Sequence, residues 1–419
     1  MSLINPNSNA PESSSASYSH DMEASTPFSN IPNDIIRHIF LQLPMKFVIR
    51  CQCVCKLWRS LIDDSDFKLL YRGQQRVIFL SHEYSTRQDS GFEVKSTSHD
   101  LRLQTHKFPL GEAYPYHFRV LCSCNGFAVL VVMREIWLWN PTTTRCSTKV
   151  LESPYRAKLN PNLFGGLCYD SCTRDYKVVL SLRPIKPGHD YGYPLLISAS
   201  LNHKEWRPVQ FPCNLVSARG GIEFRNTFHW WASDIKDWDR DRDYLWAAGR
   251  NRIVYFDPVH DEFRILPTPE LGRGRENSIV GLGVIDECLC MASFMVREGD
   301  EPNMKTIQVL IMKEYGKQES WMNVFAIRMP HYLENIYESY DLTFYSQKKN
   351  AQEVLFLHTA GRCGPEIYVY DRCGQEIYVY DREKNKLKEG LMDFLTSSSR
   401  FYTSVCFYVE SFASPDRPQ

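Results

Sequence analysis

The chain has 419 residues, enough for a small unit plus one large domain or two medium ones. Its 49 basic and 49 acidic residues give a formal net charge of zero, which argues against the basic stripe that sequence-independent nucleic-acid binding needs. Hydrophobic residues at 43% can build a sizeable core, and the longest apolar run, Phe127–Met133, is far too short to cross a bilayer.

Residues 1–30 are rich in Ser, Asn and Pro, with no apolar h-region and no cluster of positive charge. They read as a disordered tail rather than a targeting segment. Helical spacing begins next. Ile35, Ile36, Ile39, Phe40 and Leu43 recur at steps of three and four, as do Phe47, Cys51, Val54, Trp58 and Leu61. This pattern predicts a first helix capped by Asn33 and stopped before Pro44, where a second begins. A short third helix, DFKLLYR, follows, capped by Ser65 and ended by Gly73. Three helices over residues 31–73 are too few to hide Pro32, Ile35, Ile36, Leu43, Pro44, Val48 and Trp58 from water. Either the rest of the chain covers this surplus or a partner does.

After Gly73 the helical period gives way to short runs rich in Val, Ile, Tyr, Phe and Trp, among them VIFL, GFEV, LCSCNGFAVLVV, YKVVLSL, TFHWW, LCMASF and SVCFYV. Turn formers such as NPTTT, LNHKEW, DPVHDEF and DREKNK separate them, and no helix longer than two turns is expected. One phrase recurs: an apolar strand, a polar turn and a second strand. It occupies residues 136–150, 196–209, 252–267, 309–324 and 377–390. An interval of roughly 60 residues suits one four-stranded antiparallel sheet, and several such sheets in a ring form a propeller with only short edges. The expected architecture is therefore an α+β multidomain chain: a three-helix unit at 31–73, a mostly antiparallel all-β domain at 74–412 of β-propeller type, and a tail at 413–419. A β-sandwich is the alternative.

Of the 14 cysteines, Cys51/Cys53/Cys55, Cys122/Cys124 and Cys288/Cys290 stand at i, i+2 spacing, and there is no CxxC to nucleate a zinc knuckle. They read as reduced thiols packed as small apolar residues, in a protein of the cytosol or nucleus. No GxSxG, HExxH or Walker-type loop is present, and neither a metal nor a cofactor is expected. The acidic run SDIKDWDRDRDYLW alternates with Arg240 and Arg242 and reads as a solvated, self-neutralising loop. GRGREN at 272–277 reads as a flexible turn, and His229 as a packed strand histidine. Trp230, Trp231, Trp238, Arg240 and Arg242 are the candidate target-binding residues, because aromatics and Arg carry most interface energy. The competing reading puts Trp230 and Trp231 in the core.

Residues 31–72 resemble an F-box. Ile31-Pro32-Asn33-Asp34-Ile35-Ile36 matches the family's opening, and Leu43-Pro44 its central pair. Gln52-Cys53-Val54-Cys55-Lys56-Leu57-Trp58 and Arg59-Ser60-Leu61-Ile62, with Asp63 and Phe67, match its close. Ile31 and Gln52 depart from the commoner Leu and Arg or Lys without removing an apolar anchor. Later phrases resemble the F-box-associated domain of plant F-box proteins: LCSCNGFAVL, IWLWNPTTTR, FGGLCYDSCTRDYKVV and VLIMKEYGKQESWMNVFAI. Gly165-Gly166-Leu167-Cys168 disturbs the family's Gly-x-Gly spacing, which suggests a slightly different turn. RCGPEIYVYD at 362–371 is repeated almost unchanged at 372–381, and only one copy need hold the native register.

The resemblance implies a non-catalytic substrate receptor of an SCF-type ubiquitin ligase. It implies docking on a Skp-family adaptor, and through it on a cullin and a RING subunit, by Pro32, Ile35, Ile36, Ile39, Leu43, Pro44, Val48, Val54, Cys55, Trp58 and Leu61. The β domain would hold an unidentified target protein, with no nucleic acid and no membrane among the partners. A propeller hydrolase or glycan-binding protein is the alternative.

Overall fold

The computed structural model describes residues 31–83, 92–97, 103–106, 118–132, 134–147, 149–153, 165–182, 195–212, 215–234, 250–269, 279–295, 306–328, 340–346, 352–360, 375–388 and 400–414. Four helices open it: α1 (Asn33–Gln42), α2 (Met45–Cys51), α3 (Lys56–Asp63) and α4 (Ser65–Leu70). The second expected helix is thus two. It ends at Cys51 because Cys53 and Val54 donate to Arg50 and Cys51 carbonyls in a tight turn. Cys55, fully extended, then starts α3 with its Sγ accepting from the Trp58 amide at 3.4 Å. The caps also differ from expectation. Asn33 already lies inside α1, and Asp64 rather than Ser65 caps α4, its carboxylate accepting from the Phe67 amide at 2.9 Å. Extended Tyr71, not Gly73, ends α4.

The β domain is a six-bladed propeller, which excludes the sandwich. Blade one begins with β1 (Gln75–Glu83), β2 (Phe92–Thr97) and β3 (Leu103–His106). Blade two comprises β4 (Phe118–Cys124), β5 (Phe127–Val132), β6 (Glu135–Asn140), β7 (Arg145–Cys146) and β8 (Leu151–Glu152). Blade three holds β9 (Gly165–Asp170), β10 (Asp175–Leu182), β11 (Leu195–Ser200) and β12 (Trp206–Pro208). Blade four holds β13 (Leu215–Phe224), β14 (Thr227–Asp234), β15 (Arg250–Asp257) and β16 (Glu262–Leu266). Blade five holds β17 (Ile279–Ile285), β18 (Cys288–Met295), β19 (Thr306–Met312) and β20 (Trp321–Arg328). Blade six holds β21 (Tyr340–Tyr345), β22 (Glu353–Ala360), β23 (Gln375–Asp381) and β24 (Lys386–Lys388). The last strand, β25 (Arg400–Val409), returns to pair antiparallel with β1, so the end of the chain closes the ring.

The five repeated phrases are the two outer strands of blades two to six and the turns between them. Four turns share one chemistry. The side-chain oxygens of Asn140, Asp170, Asp257 and Asp381 each accept from the amides two and three residues on, at 2.9–3.3 Å. Thr144, Arg174, Asp261 and Asn385 close these turns in the left-handed region. Asn140, Asp257 and Asp381 belong to outer hairpins, and Asp170 to the inner hairpin of blade three. Of the tandem decapeptides, the second supplies β23, paired with β22 and β24, while the first lies outside the described residues.

The inner strands β25, β4, β9, β13, β17 and β21 face the axis, and from β25 round to β21 each lies beside the next. Gly165 and Gly166 are on one of these, β9, and not in a turn. A Cβ on Gly166 would stand 2.7 Å from Phe228 and 2.8 Å from the Trp230 ring, so the spacing reflects close packing on blade four. Between blades five and six the approach becomes backbone pairing: β17 runs parallel to β21 from Gly281 to Val284. Cys122, Cys124, Cys168 and Cys290 are buried in the blade interfaces, where burial pushes their thiols up and leaves them neutral packing groups.

Candidate docking surface of the helical unit

The helical unit has a core of its own. Ile36 and Phe40, one turn apart on α1, face Met45 and Val48 of α2, Ile62 of α3, Phe67 of α4 and Tyr71. Trp58 is half-buried and meets Phe40 edge-on with ring centroids 5.1 Å apart, while Tyr71 donates its hydroxyl to the Leu43 carbonyl at 2.9 Å. Arg37 and Asp64 pair at 3.1 Å across α1 and the start of α4. Leu43 and Leu61 lie half-buried at the rim of this core.

The outward side remains apolar. Ile35 and Ile39 are 51% and 47% exposed, and Val54 is 63% exposed. Pro32, Pro44 and Cys55 are exposed with them. Two of the expected docking residues are placed otherwise: Ile36 and Val48 are sealed at 3% and 0% exposure among the helices themselves. Their helix phase points them at Ile62, Phe67 and Tyr71, so they support the surface without forming it. Conversely, Phe47, Ile49 and Leu57 are exposed and belong to the surface, Phe47 on the apolar helical stripe and Ile49 and Leu57 off it. The turn at Gln52–Cys55 resets the phase of the second apolar stripe and sends Leu57 outward. The hint in the sequence was the run Phe47-Val48-Ile49, which no single helix face can bury.

The candidate target-binding tryptophans are core residues. Trp230 and Trp231, each 1% exposed, point to opposite faces of β14, and both faces of that blade are covered. Trp230 packs with Phe228 and Phe263 on the side of blade three, and Trp231 with Leu289 and Met291 on the side of blade five. His229, on the same face as Trp231, stacks on Tyr255 at 5.5 Å and shares a 2.7 Å hydrogen bond with the Tyr315 hydroxyl. Burial lowers its pKa to about 3, so it is a neutral core histidine. Trp238, Arg240, Arg242 and the 272–277 turn lie outside the described residues.

Comparison with known proteins agrees with this division of the chain. Residues 28–70 match the F-box domain and residues 76–415 the F-box associated beta propeller domain. Among curated relatives, F-box protein CPR1 of Arabidopsis thaliana is 28% identical over 351 residues, covering 77% of this chain and 78% of the relative. An F-box/kelch-repeat protein of the same plant is 29% identical over 323 residues, covering 71% of this chain and 79% of the relative. The chain therefore belongs to the plant F-box proteins that carry an F-box-associated β-propeller domain, a family whose members recognise substrates.

Proposed function

We propose that this protein is the substrate receptor of an SCF-type ubiquitin ligase, working in the cytosol or nucleus. The helical unit docks on a Skp-family adaptor and, through it, on a cullin and a RING subunit. One observation carries this reading. Of the nine large apolar side chains exposed among the described residues, seven (Ile35, Ile39, Phe47, Ile49, Val54, Leu57 and Leu70) belong to the helical unit. Covering one such side chain fully is worth about 1.5–3 kcal/mol, and a patch of them is costly to leave in water. The unit is closed on its inner side by its core together with Phe412 from the end of the chain, so the outward side is available to another chain.

The ring holds the target, with Trp238, Arg240 and Arg242 as contact candidates in the stretch that joins β14 to β15. This chain's contribution to ubiquitin transfer is proximity: it raises the local concentration of target lysines beside a charged ubiquitin-conjugating enzyme, with no bond chemistry of its own. The hydrolase and glycan-binding readings call for a polar pocket on the axis. There, β17 and β21 pair directly and β13 reaches both β4 and β21, which supports a filled axis instead.

The test is co-purification of the full chain with a plant Skp-family adaptor, beside Ile35→Asp/Ile39→Asp and a ring control, Val259→Asp. Wild type and the control should be retained and the double variant lost, all three with the same thermal unfolding curve. Failure of wild type to bind, or equal retention of the double variant, ends the adaptor reading.

A further inference from the structure

Three consecutive bodies meet at residues 410–413. Glu410 is tied to the strand that leaves the helical unit: Gly73 donates to its carbonyl at 2.9 Å, and its own amide donates to Gln74 at 2.9 Å. Its carboxylate accepts from the Gln74 amide at 3.2 Å and from Arg76 Nε at 2.6 Å, an ion pair only 12% and 11% exposed. Ser411 and Ala413 are held instead by blade two, where Asn140 Nδ2 donates to their carbonyls at 3.0 and 2.8 Å. Between them, half-buried Phe412 packs against the core of the helices, 4.9 Å from the Tyr71 ring and 6.4 Å from Phe67.

The turn of blade two is shaped to receive this segment. Gly126 has φ +81°, and a Cβ there would collide with the Ser411 side chain and stand 2.8 Å from the Val409 carbonyl. Its neighbour Asn125 accepts from Arg72, at the end of the helical unit, and donates to the Tyr176 hydroxyl at 3.2 Å. The Asn-Gly of SCNG and the Asn of WNPTTT thus converge on one place, and that place joins ring to helices.

We infer that Glu410–Ala413 form a clasp that fixes the orientation of the helical unit on the propeller, with Glu410, Phe412 and Asn140 as positioning residues. A tether through Gly73 and Gln74 alone would leave the two bodies free to swing. The clasp adds a side chain packed against the helical core and two sets of hydrogen bonds on blades one and two. Its purpose rests on the receptor reading above: a target on the ring is then presented at a set distance and angle to the ligase. The clasp is also part of ring closure, since it continues β25 directly.

The test uses the full chain carrying Glu410→Ala/Phe412→Ala, with Phe412→Leu as the conservative variant. Hydrogen exchange is followed by mass spectrometry in the peptide covering residues 71–76. In the double variant this peptide should exchange at least about tenfold faster, while β5, β14 and β18 keep their protection, and Phe412→Leu should restore most of the difference. Unchanged exchange at 71–76, or equal loss of protection around the whole ring, overturns the clasp. This readout needs no adaptor, so it stands apart from the binding test of the receptor reading. In a reconstituted ligase, wild type should be ubiquitinated on a narrow set of its own ring lysines, and the double variant on a broader set. Faster exchange with an unchanged lysine pattern would refute the positioning role.

Discussion

Trp206 donates its indole N–H to the Glu152 carbonyl at 2.8 Å, tying the outer strand of blade three to the end of blade two. Trp321 repeats the bond on Pro267 at 2.9 Å, from blade five to blade four, and each bond spans 54 residues. The tryptophan of the recurring phrase is therefore a strap between neighbouring blades. It acts at the rim, where strands are short and an unpaired edge would be open to water.

Trp206→Phe keeps most of the packing and removes the bond, so it should cost about 1 kcal/mol, and Trp206→Ala should cost more. Urea unfolding checks this. Equal midpoints for wild type and Trp206→Phe would show that the strap contributes nothing.

Ile35 and Ile36 are neighbours with opposite tasks, one 51% exposed and the other 3%. Ile36→Ala should destabilise the helical unit by about 2–5 kcal/mol, and adaptor binding should fall as the unit unfolds. Ile35→Ala should leave stability within about 0.5 kcal/mol of wild type while weakening adaptor binding. Circular dichroism and binding assays on both variants separate the two roles, and identical profiles would contradict them.

Gly283 permits the parallel pairing of β17 with β21. A Cβ there would stand 2.6 and 2.7 Å from the backbone C and Cα of Phe344, atoms that cannot yield without parting the strands. Gly283→Ala should destabilise the ring by about 1–3 kcal/mol or more, read as a lowered thermal midpoint. A midpoint equal to wild type would mean that the two inner strands do not pair.

His229 gives the ring a pH dependence. Its folded pKa, about 3, is depressed by burial below the ordinary 6.5, so between these values the unfolded chain binds the extra proton. The stabilisation is complete above about pH 6.5 and falls with acidification, by up to about 1.4 kcal/mol per pH unit from this group. His106 is lowered as well, by burial and by Arg76, and acts in the same direction. His229→Phe should therefore flatten stability between pH 6.5 and 5 without making it level. An unchanged slope would place His229 in water.

By itself, the sequence determined the helical unit, the all-β character of the rest, the interval of one outer hairpin per blade and the family. All four are local matters: side-chain period, turn chemistry and ordered short motifs. Only the tertiary structure decided which apolar residues have a cover. Ile36 and Ile39 look alike in a helical pattern, and their burial depends on α3, α4 and Tyr71, which the pattern does not place. Trp230 and Trp231 look like recognition residues until blades stack on both faces of β14. The bond from Asn140 to Ser411 joins residues 271 apart, and no local rule reaches across that distance. Periodicity states which side of an element is apolar, whereas the identity of what lies against it is settled only when the chain closes its ring.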